Sequence, residues 1–137
     1  FVAQDEHLAR LSLADLALDT RVYNGHTTTS DALWAGVPVL TLRGRHFASR
    51  VSESILSAAG LSELVASDLD AFQAQAIEIA GDVGKIKRLK EKVAEARQTS
   101  PLFDTKGFVR HFECGLAEVW RKAMVGLPLE ALLVEDK

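Results

Sequence analysis

The segment Asn24-Gly25-His26-Thr27-Thr28-Thr29-Ser30-Asp31 gathers what an anion site needs: a glycine, several hydroxyls and the start of a helical pattern. Free N–H groups at a helix start carry partial positive charge, Thr27 and Thr28 add hydroxyl donors, and Gly25 permits close approach of the backbone to a phosphate. No lysine follows as in the P-loop pattern, so the spacing does not suggest ATP hydrolysis. The same threonines and serine also serve as caps and turn formers, and the residues alone leave both readings open. Asp31 either completes a capping arrangement begun by Thr28 or accepts hydrogen bonds from a ribose one turn along. His7 and Arg10, at i,i+3, are spaced to stack on and hydrogen-bond a base, or to form a solvated helix surface.

A second group, Arg43, Arg45, His46 and Arg50, makes a small basic cluster. A locally charged loop is the plain explanation. Arg50, however, falls in the first turn of the next helical pattern, where a cation opposes the helix dipole, which points to a specific partner for it. Cys114 reads as a half-buried helical residue, and His111 and Glu113 do not face each other as a catalytic pair.

The elements that must hold these residues follow from periodicity. Residues 5–14 read as a short helix and 16–18 as a short buried strand, followed by a polar loop. A helix over 27–35, which Thr28 can cap, stops at Gly36. Residues 37–42 are apolar without alternation, as in a parallel strand covered on both faces. A basic loop over 43–47 leads to a helix over 48–59, a third strand candidate at 61–65, and helices over 68–80 and 83–97, each with one apolar stripe. After the break at 100–105, a helix over 106–124 carries Phe108, Phe112, Leu116, Val119 and Trp120, a stripe suited to a core or an interface, and 126–137 reads as a tail. The order predicts an α/β fold, a parallel sheet flanked by helices, ending in a long C-terminal helix.

With 137 residues, 47% of them hydrophobic, the chain has the size of one domain and excludes a second one of any substance. Its start, Phe1-Val2-Ala3-Gln4, has no initiator Met and enters helical sequence as though cut from something longer. Sixteen Lys and Arg against 19 Asp and Glu, mixed along the chain, give no cationic footprint for nucleic acid. One cysteine and four scattered histidines suggest neither a disulfide nor a metal site, and a reducing cytoplasm fits. No apolar run approaches the roughly 18 to 20 residues of a membrane span.

Three stretches carry a resemblance: residues 14–20, Tyr23-Asn24-Gly25-His26-Thr27-Thr28, and Ser30-Asp31-Ala32-Leu33-Trp34-Ala35-Gly36-Val37-Pro38-Val39-Leu40-Thr41. Together with Ala48-Ser49-Arg50-Val51 and Ser100-Pro101-Leu102-Phe103-Asp104-Thr105, they resemble the C-terminal catalytic region of the O-linked N-acetylglucosamine transferase (O-GlcNAc transferase, SPINDLY-like) family, over residues 1 to about 124.

The resemblance implies the C-terminal portion of a GT-B, Rossmann-like nucleotide-sugar-binding domain. Residues 1–104 would belong to that domain, 105–124 to a packing helix and 125–137 to a tail. It implies a cytoplasmic, metal-free glycosyltransferase that needs no cofactor and moves a sugar from UDP-GlcNAc to protein Ser or Thr. Its parent protein would supply the N-terminal catalytic domain and tetratricopeptide repeats, and homo-oligomers are allowed. By similarity, His26, Thr27 and Thr28 would hold the diphosphate, Asp31 the ribose, and His7 and Arg10 the uracil end. Catalytic residues are expected in the part of the enzyme outside this chain, so the chain alone would be inactive. Gln4 stands where the family often has a lysine, which removes a positive charge from the nucleotide's surroundings. Transfer to Asn, another nucleotide sugar, and a non-catalytic nucleotide-binding scaffold remain as alternatives.

Overall fold

A computed structural model describes residues 2–128 and 130–133. The chain forms two compact units, Phe1–Phe103 and Asp104–Lys137. In the first, the elements run α1 (Gln4–Leu11), β1 (Ala17–Leu18), α2 (Thr27–Trp34), β2 (Val39–Leu42), α3 (Val51–Ala58), β3 (Val65–Ala66), α4 (Leu69–Gly81) and α5 (Val83–Thr99). The three strands form a parallel sheet in the order β1-β2-β3, with Ala17 beside Val39 and Thr41 beside Val65. The α/β architecture expected from the strand–helix alternation is therefore what the chain forms.

β2 is the central strand, and Val39, Leu40 and Thr41 are all buried, which accounts for its unalternating sequence. Its apolar side chains join Leu33 of α2, Leu56 of α3, Ile79 of α4, and Leu89 and Val93 of α5 in one core. The charged helix α5 thus holds on by a single stripe, as its spacing suggested. Trp34 ends α2 half-exposed, with the Arg97 guanidinium 4.7 Å from its ring centre and the Phe103 ring 5.5 Å away.

Four expectations about elements need correction. The strand expected to be buried at 16–18 is β1, at the edge of the described sheet, and its Leu18 is exposed. The strand at 61–65 is instead a 3₁₀ turn over Ser62–Leu64 followed by β3 at Val65–Ala66. Leu61 and Leu64, both buried, are three residues apart, so the apolar period here is three and not two. The helix at 48–59 is broken: Phe47–Ser49 forms a 3₁₀ turn, and α3 starts at Val51. Ser49 causes the break, because its hydroxyl accepts from the His46 N–H at 3.1 Å and donates to the His46 carbonyl at 3.0 Å. In the second unit, Cys114 is exposed rather than half-buried. It lies two residues from both Phe112 and Leu116, on the opposite side of α6 (Thr105–Met124) from the aromatic stripe.

Asp104 caps α6 by accepting from the Gly107 N–H at 2.9 Å, and Phe108 stacks on Phe112 with ring centres 6.0 Å apart. Of the expected tail, positions 129 and 134–137 lie outside the described residues, as does Phe1 at the other end; 127, 128 and 130–133 form no regular element.

Candidate nucleotide-binding site

β1 ends at Leu18, and the loop that follows is fastened at almost every residue. The Asp19 carboxylate accepts from the Thr20 N–H at 2.8 Å, the Gly25 N–H at 2.7 Å and the buried Thr41 hydroxyl of β2 at 2.7 Å. Thr20 donates its hydroxyl to the Tyr23 carbonyl, and Asn24 donates its side-chain amide to the Thr20 carbonyl at 3.0 Å. The Asn24 N–H reaches across to the Ala48 carbonyl at 2.7 Å, tying this loop to the one that follows β2.

Gly25 is held from both sides. Its carbonyl accepts from the Thr29 hydroxyl and the Ser52 hydroxyl, each at 3.0 Å, and those hydroxyls lie 2.9 Å from each other. A Cβ at position 25 would sit 2.5 Å from Thr28 Oγ1 and 2.6 Å from Thr29 Oγ1. Only glycine fits a turn this tight against the helix it feeds.

α2 begins immediately afterwards, with His26 as its first flanking residue and no side-chain cap. The first helical bond runs from the Ser30 N–H to the His26 carbonyl at 3.2 Å, so the amides of Thr27, Thr28 and Thr29 lie ahead of the ladder. Thr28 is therefore not the cap, and Asp31 closes no capping box with it; the helix starts at Thr27, as its pattern suggested, with the Asp19 and Gly25 network fixing the entering chain. Three successive amides at the positive end of a helix, with two threonine hydroxyls among them, are the donors an anion requires. The His26 ring is stacked on Tyr23 (5.3 Å, 9° between planes) and meets the edge of Phe47 at 6.0 Å. Its Nε2 is buried with no hydrogen-bond partner, a polar atom left for a ligand oxygen to satisfy.

α1 packs on α2 and brings a second set of groups to it. The Arg10 guanidinium donates to His7 Nδ1 at 3.1 Å; since a guanidinium only donates, the proton of the neutral imidazole sits on Nε2. That nitrogen faces Asp31 Oδ2 at 3.9 Å. Asp31 is four residues after Thr27 and three after Thr28, hence on their side of α2. His7, Arg10 and Asp31 form one polar row, and His26, Thr27 and Thr28 stand at the end of the helix that carries Asp31. Among the described residues no cluster of His, Cys, Asp or Glu is suited to a metal, and no helix is long and apolar enough to cross a membrane.

Residues 1–112 match glycosyl transferase family 41. The chain belongs to this glycosyltransferase family. It is 38% identical over 128 residues to the UDP-N-acetylglucosamine–peptide N-acetylglucosaminyltransferase of Caenorhabditis elegans, a match covering 93% of this chain and 11% of that protein. A probable enzyme of the same description from Arabidopsis thaliana, SEC, is 38% identical over 118 residues, covering 85% and 12%. The chain thus spans little more than a tenth of the length of these relatives. Among solved structures, a mutant O-GlcNAc transferase of Thermobaculum terrenum superposes with a TM-score of 0.82 at 35% identity, over 89% of this chain and 24% of that one. The family 41 resemblance and the GT-B, Rossmann-like architecture it implied both hold.

What the sequence did not reveal is the layer behind the start of α2, Asp19, Thr41 and Ser52, or that Asn24 and Thr29 of the segment brace the turn. The one signal available was an aspartate directly after a short strand and six residues ahead of a glycine. The partner expected for Arg50 is internal, since Glu53 lies 3.3 Å from it and 2.8 Å from Arg43.

Proposed function

We propose that this chain forms the donor-nucleotide side of a protein O-GlcNAc transferase that moves N-acetylglucosamine from UDP-GlcNAc to Ser or Thr of an acceptor protein. The free-amide end of α2, set behind a glycine that tolerates no side chain, carries the reading. His26, Thr27 and Thr28 hold the diphosphate, Asp31 the ribose hydroxyls, and His7 with Arg10 the uracil end. Gln4, at the first residue of α1, offers hydrogen bonds but no charge to the nucleotide. As the glycosidic bond breaks, negative charge grows on the departing UDP, and fixed amides and hydroxyls stabilise it without reorganising. The acid–base and acceptor-positioning groups belong to the rest of the parent protein, which works in the cytoplasm with its tetratricopeptide repeats.

UDP titrated into the full-length protein should bind, and Thr27→Val or His26→Ala should weaken binding and lower transfer by about tenfold to a hundredfold. In an isotope-labelled sample, the amide signals of residues 25–31 should move on adding UDP. Unmoved signals, or unchanged transfer in both variants, would overturn the assignment and favour a scaffold role.

A further inference from the structure

The basic cluster after β2 lies outside the donor seat, yet two of its members, Arg45 and Arg50, line an open cleft of about 570 Å³. Arg45, Phe47, Arg50, Glu53, Ser54 and Ile55 form its walls. We propose that this cleft receives the acceptor polypeptide and favours one bearing a carboxylate a few residues from the hydroxyl that is glycosylated; this rests on the donor assignment made above.

Position is the first argument. β1 and β2 are neighbours, and the loops leaving them lie side by side at the carboxyl edge of the sheet, where ligands of parallel α/β folds collect. The Asn24–Ala48 backbone bond joins the two loops, and Phe47 meets the His26 ring at 6.0 Å while also lining the cleft. The cleft therefore opens one aromatic ring from the diphosphate seat. An extended peptide advances about 3.3 Å per residue, so a side chain two or three residues from the reacting hydroxyl lies about 7–10 Å from it, a span comparable to the step past one aromatic ring.

Charge is the second. Glu53 bridges Arg43 and Arg50, and its carboxylate is only 15% exposed, so it is spent on those two guanidiniums. Arg45 has no carboxylate partner among the described residues. In the cleft wall two guanidiniums, Arg45 and Arg50, thus face one carboxylate that is already shared with Arg43 outside it, in a chain whose net charge is -3. Phe47, 82% exposed, and Ile55 add apolar surface, a combination that suits a peptide better than a bare phosphate.

The third argument is rigidity. Gly44 donates its N–H to the Ser49 carbonyl at 3.0 Å, closing the loop that carries Arg45 at its tip. A Cβ on Gly44 would lie 2.1 Å from Ser49 Oγ, so the loop closes only on a glycine. Arg45 is presented on a fixed frame, and little ordering is left for binding to impose.

The test uses the full-length enzyme and three acceptor peptides that differ only in carrying Glu, Gln or Lys near the acceptor Ser or Thr. Wild type should prefer the Glu peptide. Arg45→Glu should cut kcat/KM for that peptide about threefold to tenfold, raise it for the Lys peptide, and leave the Gln peptide and the UDP inhibition constant unchanged. Equal losses on all three peptides, or a fall in melting temperature with them, would make the cleft an internal contact and overturn the proposal. No change on any peptide would overturn it too. A wild-type protein that fails to bind UDP would instead sink the donor assignment, a failure visible without any peptide.

Discussion

Asp19 touches no ligand in this reading, yet its removal should cost more than that of some residues that do. Its carboxylate satisfies three donors, of which the Thr20 N–H lies at an exposed residue and can turn to water. The Gly25 N–H and the fully buried Thr41 hydroxyl cannot do so easily. Leaving a buried donor unpaired costs about 1–3 kcal/mol, so Asp19→Ala should destabilise the loop by about 3 kcal/mol after relaxation. Asp19→Asn keeps an oxygen for Gly25 but turns an NH₂ toward Thr41, which must then accept; losing charge assistance there costs about 1–1.5 kcal/mol.

Since UDP binds only the closed loop, these costs should appear in affinity, about tenfold for the Asn variant and about a hundredfold for the Ala variant. Calorimetric titration of UDP into each full-length variant measures this, with circular dichroism to establish that the protein is folded. Thr41→Val is the control, and its effect should be strongly non-additive with Asp19→Asn because both act on one bond. A folded Asp19→Ala protein that binds UDP within threefold of wild type would refute the idea that this carboxylate sets the loop.

Gly25→Ala should be as damaging by another route, displacing the Thr28 and Thr29 hydroxyls, with a stability loss of about 1–3 kcal/mol and loss of UDP affinity in the same titration. Leu40→Ala, in the middle of the central strand and fully buried, should lower stability by about 2–5 kcal/mol in chemical denaturation while leaving the intact fraction able to bind UDP. Glu63 supplies a pH test. Partial burial acts to raise its pKa, but the hydrogen bond from Lys92, its own backbone N–H and the Lys92 charge outweigh that and hold it below its ordinary 4.5. A depressed folded pKa stabilises the native state above the unfolded value and is lost as pH falls through the folded one. Lys92→Met should therefore lower the denaturation midpoint at neutral pH and converge with wild type once the pH has fallen through the depressed Glu63 pKa.

The parallel sheet was legible in the sequence because β2 is buried on both faces and flanked by glycine and proline stops, and so was the strand-to-helix turn at Gly25, because a glycine followed by threonines suits a tight turn into a helix. The third strand was misread because Leu61 and Leu64 satisfy a strand pattern loosely and a 3₁₀ turn well. The start of α2 at Thr27 was legible, but its cap was not: capping rules look for a side chain such as Thr28, whereas here a carboxylate five residues upstream of Asn24 and a hydroxyl on α3 fix the entry. Contacts of that range, Asp19 to Thr41 and Gly25 to Ser52, leave no local periodicity and become visible only when the strands are side by side.

Those same contacts explain why Arg45 is the informative position in the acceptor cleft. Ser52 and Glu53 are adjacent on α3 and serve different partners: Ser52 supports the Gly25 carbonyl of the donor seat, and Glu53 holds Arg43 and Arg50 at the cleft. Removing Glu53 would unpair two guanidiniums beside a residue that braces the donor loop, so a change in peptide preference could not be separated from a change in nucleotide binding. Arg45 stands at the exposed tip of its loop, while the contact between the loops runs through Ala48. Reversing its charge changes the field in the cleft without touching the hydrogen bonds behind Gly25, so an effect that follows the charge of the peptide reports on the acceptor alone.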